Sequence, residues 1–414
     1  MSQPVAAQKA EKRVPGIDLL RGLCIVAVVL HHINLRIHFR DSSLGQLIGP
    51  AANRVLFWNG YYGVRMFFVI SGFLITTWSL KRWGSLSQLD RRQFYLMRFA
   101  RIVPCLVALL VLLSILDRFG VPRFTINTQH TSLGRALLAA LTFHVNWLEA
   151  HTGYLPAAWD VLWSLSVEEI FYVFFPLLCT MLRKPALLIG VFSCFVIAGP
   201  FARVQTNNEL WADYGYLSCM DGIALGCLAA LLAAKVRLNH KSNLVLRFSG
   251  ILLILLITVF RGTAARLALY KVGLDVTTLQ VGAALLVIAL QQSFEARAAF
   301  GHSPLLSSSV RTRSAVMLRG LGSALFRSTE FLRWFGRNSY EVYLTHMLVV
   351  WPMVGLFFHF HQGLNTAVLW FLAITALTGV AGHVLARSYS GPLNRRLRTR
   401  SLHAAPRSAV AAGD

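Results

Sequence analysis

Apolar residues run in long blocks along the chain, near 17–35, 61–80, 102–117, 161–182, 186–202, 216–234, 245–260, 276–292, 339–359 and 366–386. A helix needs about 20 such residues to cross a hydrocarbon core of roughly 30 Å, and these blocks have that length. A further run, 136–148, is shorter. The pattern predicts an all-α, polytopic membrane bundle of about ten transmembrane helices, with 136–148 as a re-entrant or interfacial piece. Lys and Arg gather in the loops on the N-terminal side, which places both termini in the cytoplasm. Letting 136–148 cross would invert every later loop and reverse that bias.

Composition narrows the class. Of 414 residues 56% are hydrophobic and 14% charged, against about a quarter charged in soluble domains, which excludes most soluble enzymes. The 27 Phe, 10 Trp and 11 Tyr exclude a disordered chain. A net charge of +23, from 40 Lys+Arg against 17 Asp+Glu, follows the loop bias and implies a bilayer rather than a nucleic-acid partner. Lys9, Lys12 and Arg13 before an apolar run look like a signal peptide, but Asp18, Arg21, His31 and His32 interrupt that run, so it reads as a retained first span. All six cysteines fall in predicted spans without metal-ligand spacing and read as small buried apolar residues.

The chain therefore divides into a cytoplasmic tail (1–15), a membrane domain (16–390) containing a basic cytoplasmic loop (293–338), and a C-terminal cytoplasmic tail (391–414) expected to be disordered. The latter half of the loop, VMLRGLGSALFRSTEFLRWFG, reads as an amphipathic helix on an anionic leaflet.

Ionisable groups inside spans are costly, so their positions point to function. Counting 1.5 Å per residue puts His32 in the outer third of the first span, with Glu168 and Glu169 about 10 Å below the outer surface in the same layer. Arg65 and Asp221 fall there too, as acceptor-binding or supporting groups. Asp18, Arg21, Arg91, Arg92, Arg98 and Arg101 form an inner basic cluster, although interior loops are basic in any case. Arg21 and His32 share nearly one helix face and lie about 16 Å apart. An anionic head at the inner face with a thin arm reaching outward fits that geometry, and acyl-CoA has this shape.

The chemistry this permits is acyl transfer: a neutral His32 takes the proton of an acceptor hydroxyl, a carboxylate of the adjacent pair Glu168 and Glu169 orients the imidazole and steadies the imidazolium, and the thioester carbonyl is attacked. A structural histidine is the plain alternative for His32. A metal site at His31, His32 and His38 lacks a third ligand of fixed helical spacing, and a covalent Ser or Cys route lacks a nucleophile signature. No permanently bound cofactor is expected. The competing class is a transporter or flippase that uses the buried charges as a path, against which stands the absence of internal repeats. A non-enzymatic membrane scaffold accounts for the basic loop but leaves the outer charged layer unexplained.

The stretches DLLRGLCIVAVVLHH (18–32), YGVRMFFVISGFLIT (62–76), MRFARIVP (97–104), WSLSVEEIFYVFFP (163–176) and NSYEVYLTHMLVVWP (338–352) resemble, in order and spacing, the acyltransferase-3 family of bacterial membrane O-acyltransferases. The resemblance covers roughly residues 15–390. It implies acetyl-CoA or another acyl-CoA as cytoplasmic donor, and a hydroxyl of a cell-envelope carbohydrate or glycolipid as acceptor, at the bacterial inner membrane. By position it implies His32 and Glu168 as catalytic groups and Arg21, Arg98, Arg101 and His346 as donor-binding groups. The doubled His31-His32 departs from the family pattern, in which an aromatic or aliphatic residue precedes the histidine. An appended extracytoplasmic domain is not expected, so the membrane domain itself must reach the acceptor.

Overall fold

The computed structural model describes residues 13–300 and 327–403, and among these it is built from helices without a strand. Ten long helices follow the predicted blocks: α1 (Pro15–Asn34), α2 (Gly60–Trp83), α3 (Arg91–Arg118), α4 (Leu162–Met181), α5 (Pro185–Val204), α6 (Tyr216–Lys235), α7 (His240–Thr258), α8 (Leu274–Phe300), α9 (Ser339–His359) and α10 (Ala367–Leu385). Helices are the natural form in lipid because every backbone N–H and C=O is bonded within the segment. Ten crossings return the chain to the face on which it began, called here the terminal face; the other is the distal face.

Local chemistry marks the helix ends. Pro15 and Pro185 start α1 and α5, where a missing N–H costs nothing. The Asp90 carboxylate accepts the Gln93 N–H (3.0 Å) to cap α3, and Asn239 caps α7 through the Ser242 N–H (2.8 Å). Apolar side chains of α5 and α7 point outward along most of their length, as a lipid-facing position requires.

Residues 136–148 fall in two short helices, Leu133–Leu141 and Val145–Thr152. At about 13 Å each they are too short to cross. On the same distal face a kinked helix, Ser43–Phe57, leads into α2.

Two expectations are corrected. Residues 391–403, expected as part of a disordered tail, form a helix (Gly391–His403) that continues α10 through a π turn; it returns to the terminal end of α3, where the Tyr389 hydroxyl donates to the Pro104 carbonyl (3.3 Å). The amphipathic stretch 316–336 lies outside the described residues as far as 326, and its end forms a helix, Glu330–Arg337, packed on protein rather than laid on lipid. Arg333, Phe335 and Gly336 are buried there. The packing is backbone on backbone: a Cβ at Gly336 would stand 1.8 Å from the Asp18 carbonyl oxygen, and one at Gly22 would stand 1.9 Å from that of Leu332. Only glycine permits so close a crossing, and it fixes the start of α9 against α1.

Candidate active site

A cavity of about 510 Å³ opens at the terminal face between α1, α2, α3, α4 and α9. Arg13, Arg21, Lys81, Arg98, Arg101, Arg337 and Arg398 line it against the carboxyl groups of Asp18 and Glu168. The surplus of guanidinium groups makes it a site for a polyanion, since the fork of Arg matches phosphate oxygens.

Of the expected inner basic cluster, Asp18, Arg21, Arg98 and Arg101 line the cavity, whereas Arg91 and Arg92, in the first turn of α3, are exposed and lie outside its lining; the three lining arginines are each held differently. Arg21 donates to Ser339 Oγ (2.7 Å) at the start of α9. Arg101 forms an ion pair with buried Glu341 (2.8 Å), whose carboxylate also accepts from Ser390 Oγ (2.8 Å), while its guanidinium lies over the Tyr340 ring. Arg98 stacks on Tyr172, 4.7 Å from the ring centroid. Glu168 lies on the cavity wall with Ser71, Arg98 and Arg21 around it, and the Ser71 and Tyr172 hydroxyls are hydrogen-bonded to each other. Glu169 is buried away from the cavity, and its Oε1 has no partner.

The inner end of the cavity is formed by Ser164 and Tyr343. The Tyr343 hydroxyl donates to the Val161 carbonyl (3.0 Å) and accepts from Ser164 Oγ (2.8 Å). Behind Tyr343 lie the histidines. The Tyr343 and His346 rings are 5.6 Å apart, and His346 meets His32 with centroids 4.9 Å apart and planes inclined by 63°. His32 Nδ1 is 2.8 Å from the Val28 carbonyl one turn back, and His346 Nδ1 is 2.6 Å from that of Tyr343. A carbonyl can only accept, so both Nδ1 atoms carry the proton and both Nε2 atoms keep a lone pair. His346 Nε2 is buried without a partner. His31 points elsewhere, its Nδ1 3.2 Å from the Phe57 carbonyl and its ring against Trp58.

The layer inferred from residue counts is revised in three respects. None of the described hydrogen bonds or ion pairs joins His32 to Glu168 or Glu169; the ring beside His32 is His346, expected among the donor-binding groups. Arg65 and Asp221 belong to a separate buried network. Arg65 donates to the carbonyls of Ser218 (3.1 Å) and Asp213 (2.5 Å). Asp221 is paired with Arg203 (2.9 Å) and accepts from Thr277 Oγ1 (2.9 Å). These bonds tie α2, α5, α6 and α8 together and satisfy charges that lipid would penalise. The reason is geometric: counting residues from helix ends assumes parallel, upright helices, whereas α9 starts well inside the bundle, on α1 at Arg21.

Sequence reasoning missed Glu341, Tyr343, Ser164 and Arg203. The first three lie within the quoted motifs NSYEVYLTH and WSLSVEE; Arg203 stands one residue past the apolar block 186–202, in the last turn of α5.

A basic cavity that ends beside a histidine pair, His346 buried and His32 half-buried, inside ten membrane-spanning helices defines a class of membrane enzyme, and sequence comparison gives its family. Residues 14–386 match the family profile described as an acyltransferase domain, and the chain belongs to this acyltransferase-3 family. It is similar to the peptidoglycan O-acetyltransferase OatA of Listeria monocytogenes, 25% identical over 361 residues, covering 82% of this chain and 50% of that protein. It is also similar to the putative peptidoglycan O-acetyltransferase YrhL of Bacillus subtilis, 26% identical over 360 residues, covering 81% of this chain and 48% of that one. A putative O-acetyltransferase of Staphylococcus aureus is 27% identical over 180 residues, covering 42% of this chain and 26% of its own. The chain spans about half the length, or less, of these relatives. No solved structure matches it significantly.

Proposed function

We propose that the protein is an integral-membrane O-acyltransferase of the bacterial inner membrane, taking an acyl group, in the simplest case acetyl, from cytoplasmic acyl-CoA to a hydroxyl of a cell-envelope carbohydrate or glycolipid. The terminal face is then cytoplasmic. The observation that carries this reading is the arginine-lined cavity whose inner end, at Ser164 and Tyr343, abuts the His346 and His32 rings. The relatives named as O-acetyltransferases support acetyl as the group moved.

In this reading Arg21, Arg98 and Arg101 hold the phosphates of CoA, and the pantetheine arm runs inward past Glu168. His32 Nε2 takes the proton of the acceptor hydroxyl. The hydroxyl oxygen attacks the thioester carbonyl, the C–S bond breaks, CoA leaves as the thiolate, and the new ester stays on the acceptor. The Nδ1–H bond to the Val28 carbonyl holds the tautomer that leaves Nε2 free, a role the sequence reading gave to a carboxylate. Glu168 keeps the guanidinium groups of Arg98 and Arg21 directed into the cavity.

The test is acyl transfer by purified protein in lipid nanodiscs supplied with radiolabelled acetyl-CoA and an envelope glycan fraction. Label in the glycan that depends on His32 supports the reading. Glycan movement across liposomes without label transfer would replace the enzyme with a transporter.

A further inference from the structure

Five residues beyond His346 on α9, toward the distal face, stands Trp351, 6% exposed and with no hydrogen-bond partner for its indole N–H. Two guanidinium groups lie over this ring: that of Arg36, 4.6 Å from the centroid, and that of Arg123, 4.4 Å from it. Arg36 follows His32 by four residues, about one helical turn. Arg123 comes from the loop after α3 and adopts φ +74°, in the left-handed region that a non-glycine residue enters only at a conformational cost. Both arginines are exposed, and among the described residues neither guanidinium has a hydrogen bond or a carboxylate partner. Two like charges gathered over one aromatic face repel each other and are offset only by the ring quadrupole. A strained backbone, a buried unpaired donor and two unneutralised cations meet at one place, next to the histidine pair and on the side away from the donor cavity.

We propose that Arg36, Arg123 and Trp351 form an acceptor-binding site for an anionic group, a carboxylate or phosphate carried by the glycan, which places a neighbouring sugar hydroxyl at His32. The inference rests on the acyltransferase reading and adds the charge of the substrate and the residues that select it. The guanidinium forks bind the anion, and the Trp351 ring beneath them holds both in place beside the histidines.

The test separates binding from catalysis. Purified protein in phosphatidylcholine nanodiscs is titrated with trigalacturonate, with inorganic pyrophosphate and with neutral maltotriose, following tryptophan fluorescence and comparing the wild type with Trp351→Phe. Trigalacturonate or pyrophosphate should change the Trp351 signal where maltotriose does not, with affinity falling about tenfold in Arg36→Gln and Arg123→Gln and largely retained in Arg36→Lys and Arg123→Lys. In transfer assays the Gln variants should raise KM for a carboxylated acceptor about tenfold and leave KM for acetyl-CoA unchanged. A Trp351 signal that follows phosphatidylglycerol in the disc but neither soluble anion would assign the site to lipid and overturn the proposal, as would equal affinity for maltotriose. If binding of the anions depends on the arginines but no acyl transfer is found with any acceptor, the anion site stands and the acyltransferase reading fails.

Discussion

His32 and His346, one near the distal end of the first helix and the other on the ninth, meet ring to ring with centroids 4.9 Å apart, each held in the same tautomer by a carbonyl of its own helix. The pair sits behind Tyr343, between the basic cavity and the distal face, so a base in this position can serve a donor from one side and an acceptor from the other.

Replacing His32 by Ala should lower acyl transfer by about 10²–10⁴-fold, the range for loss of a general base. His31→Ala should cost far less, because His31 faces Phe57 and Trp58. Initial rates at matched levels of inserted protein decide. An active His32 variant beside a dead His31 variant would reverse the assignment.

His346→Gln tests the placement of that ring. It touches His32 and Tyr343 and does not line the cavity, so kcat should fall while KM for acetyl-CoA stays put. A raised donor KM with normal kcat would return His346 to the donor-binding groups.

The two arginines of α3 should behave differently. Arg98→Gln loses a phosphate-binding cation and should raise the donor KM about tenfold, with recovery at saturating acetyl-CoA. Arg101→Gln leaves Glu341 buried without its cation, a change that costs about 3 kcal/mol in comparable pairs. It should lower Tm and yield as well as donor affinity, and Arg101→Gln combined with Glu341→Gln should recover much of the Tm. Equal thermal stability of the two single variants would show that the Arg101 pair is not structural.

Glu149, on the short helix Val145–Thr152 at the distal face, is fully buried with Asp160 nearby, and burial followed by that neighbouring charge holds its pKa well above the ordinary value. A raised acid pKa means that the folded state keeps a proton which the unfolded chain releases above about pH 4.3, so this group lowers stability as pH climbs from there toward the folded pKa. Glu149→Gln should therefore gain Tm over the wild type, and gain more at pH 8 than at pH 5. Unfolding scans in detergent at both pH values check it; a gain that shrinks with pH would contradict the assignment.

Reporter fusions after residues 90 and 240 should read cytoplasmic and those after 45, 125 and 270 extracytoplasmic. Inversion beyond residue 150 would mean that the 133–152 region crosses, and it would remove the basis for placing the acceptor opposite the donor.

Much of this molecule is legible along the chain because lipid is a simple solvent. A block of about 20 apolar residues has one structural outcome there, so all ten helices follow from hydropathy. Of the cavity arginines, Arg21, Arg98 and Arg101 are legible for a related reason, since charge beside a span stands out against so little competing charge, whereas Arg13, Arg337 and Arg398 join them only through packing. Pairing across helices was not. The neighbour of His32 depends on where α9 begins against α1, which is decided by Gly22 and Gly336 crossing at backbone distance, and no count of residues within one helix contains that offset. Arg65 and Asp221 illustrate the same point: their depth was readable, but their partners, Ser218 and Arg203, lie on other helices or at another helix's end.

That glycine crossing also bears on how such a protein can change. Because main-chain atoms set the register of α1 against α9, the distance between the two histidines does not depend on which side chains fill the donor cavity or the distal rim. Substitutions at either mouth can then alter what is taken up or what is modified while the reacting centre stays in place. Under the proposed function the donor and acceptor specificities are free to drift separately, and a chain of this build can be reassigned to a new acceptor without its chemistry being rebuilt.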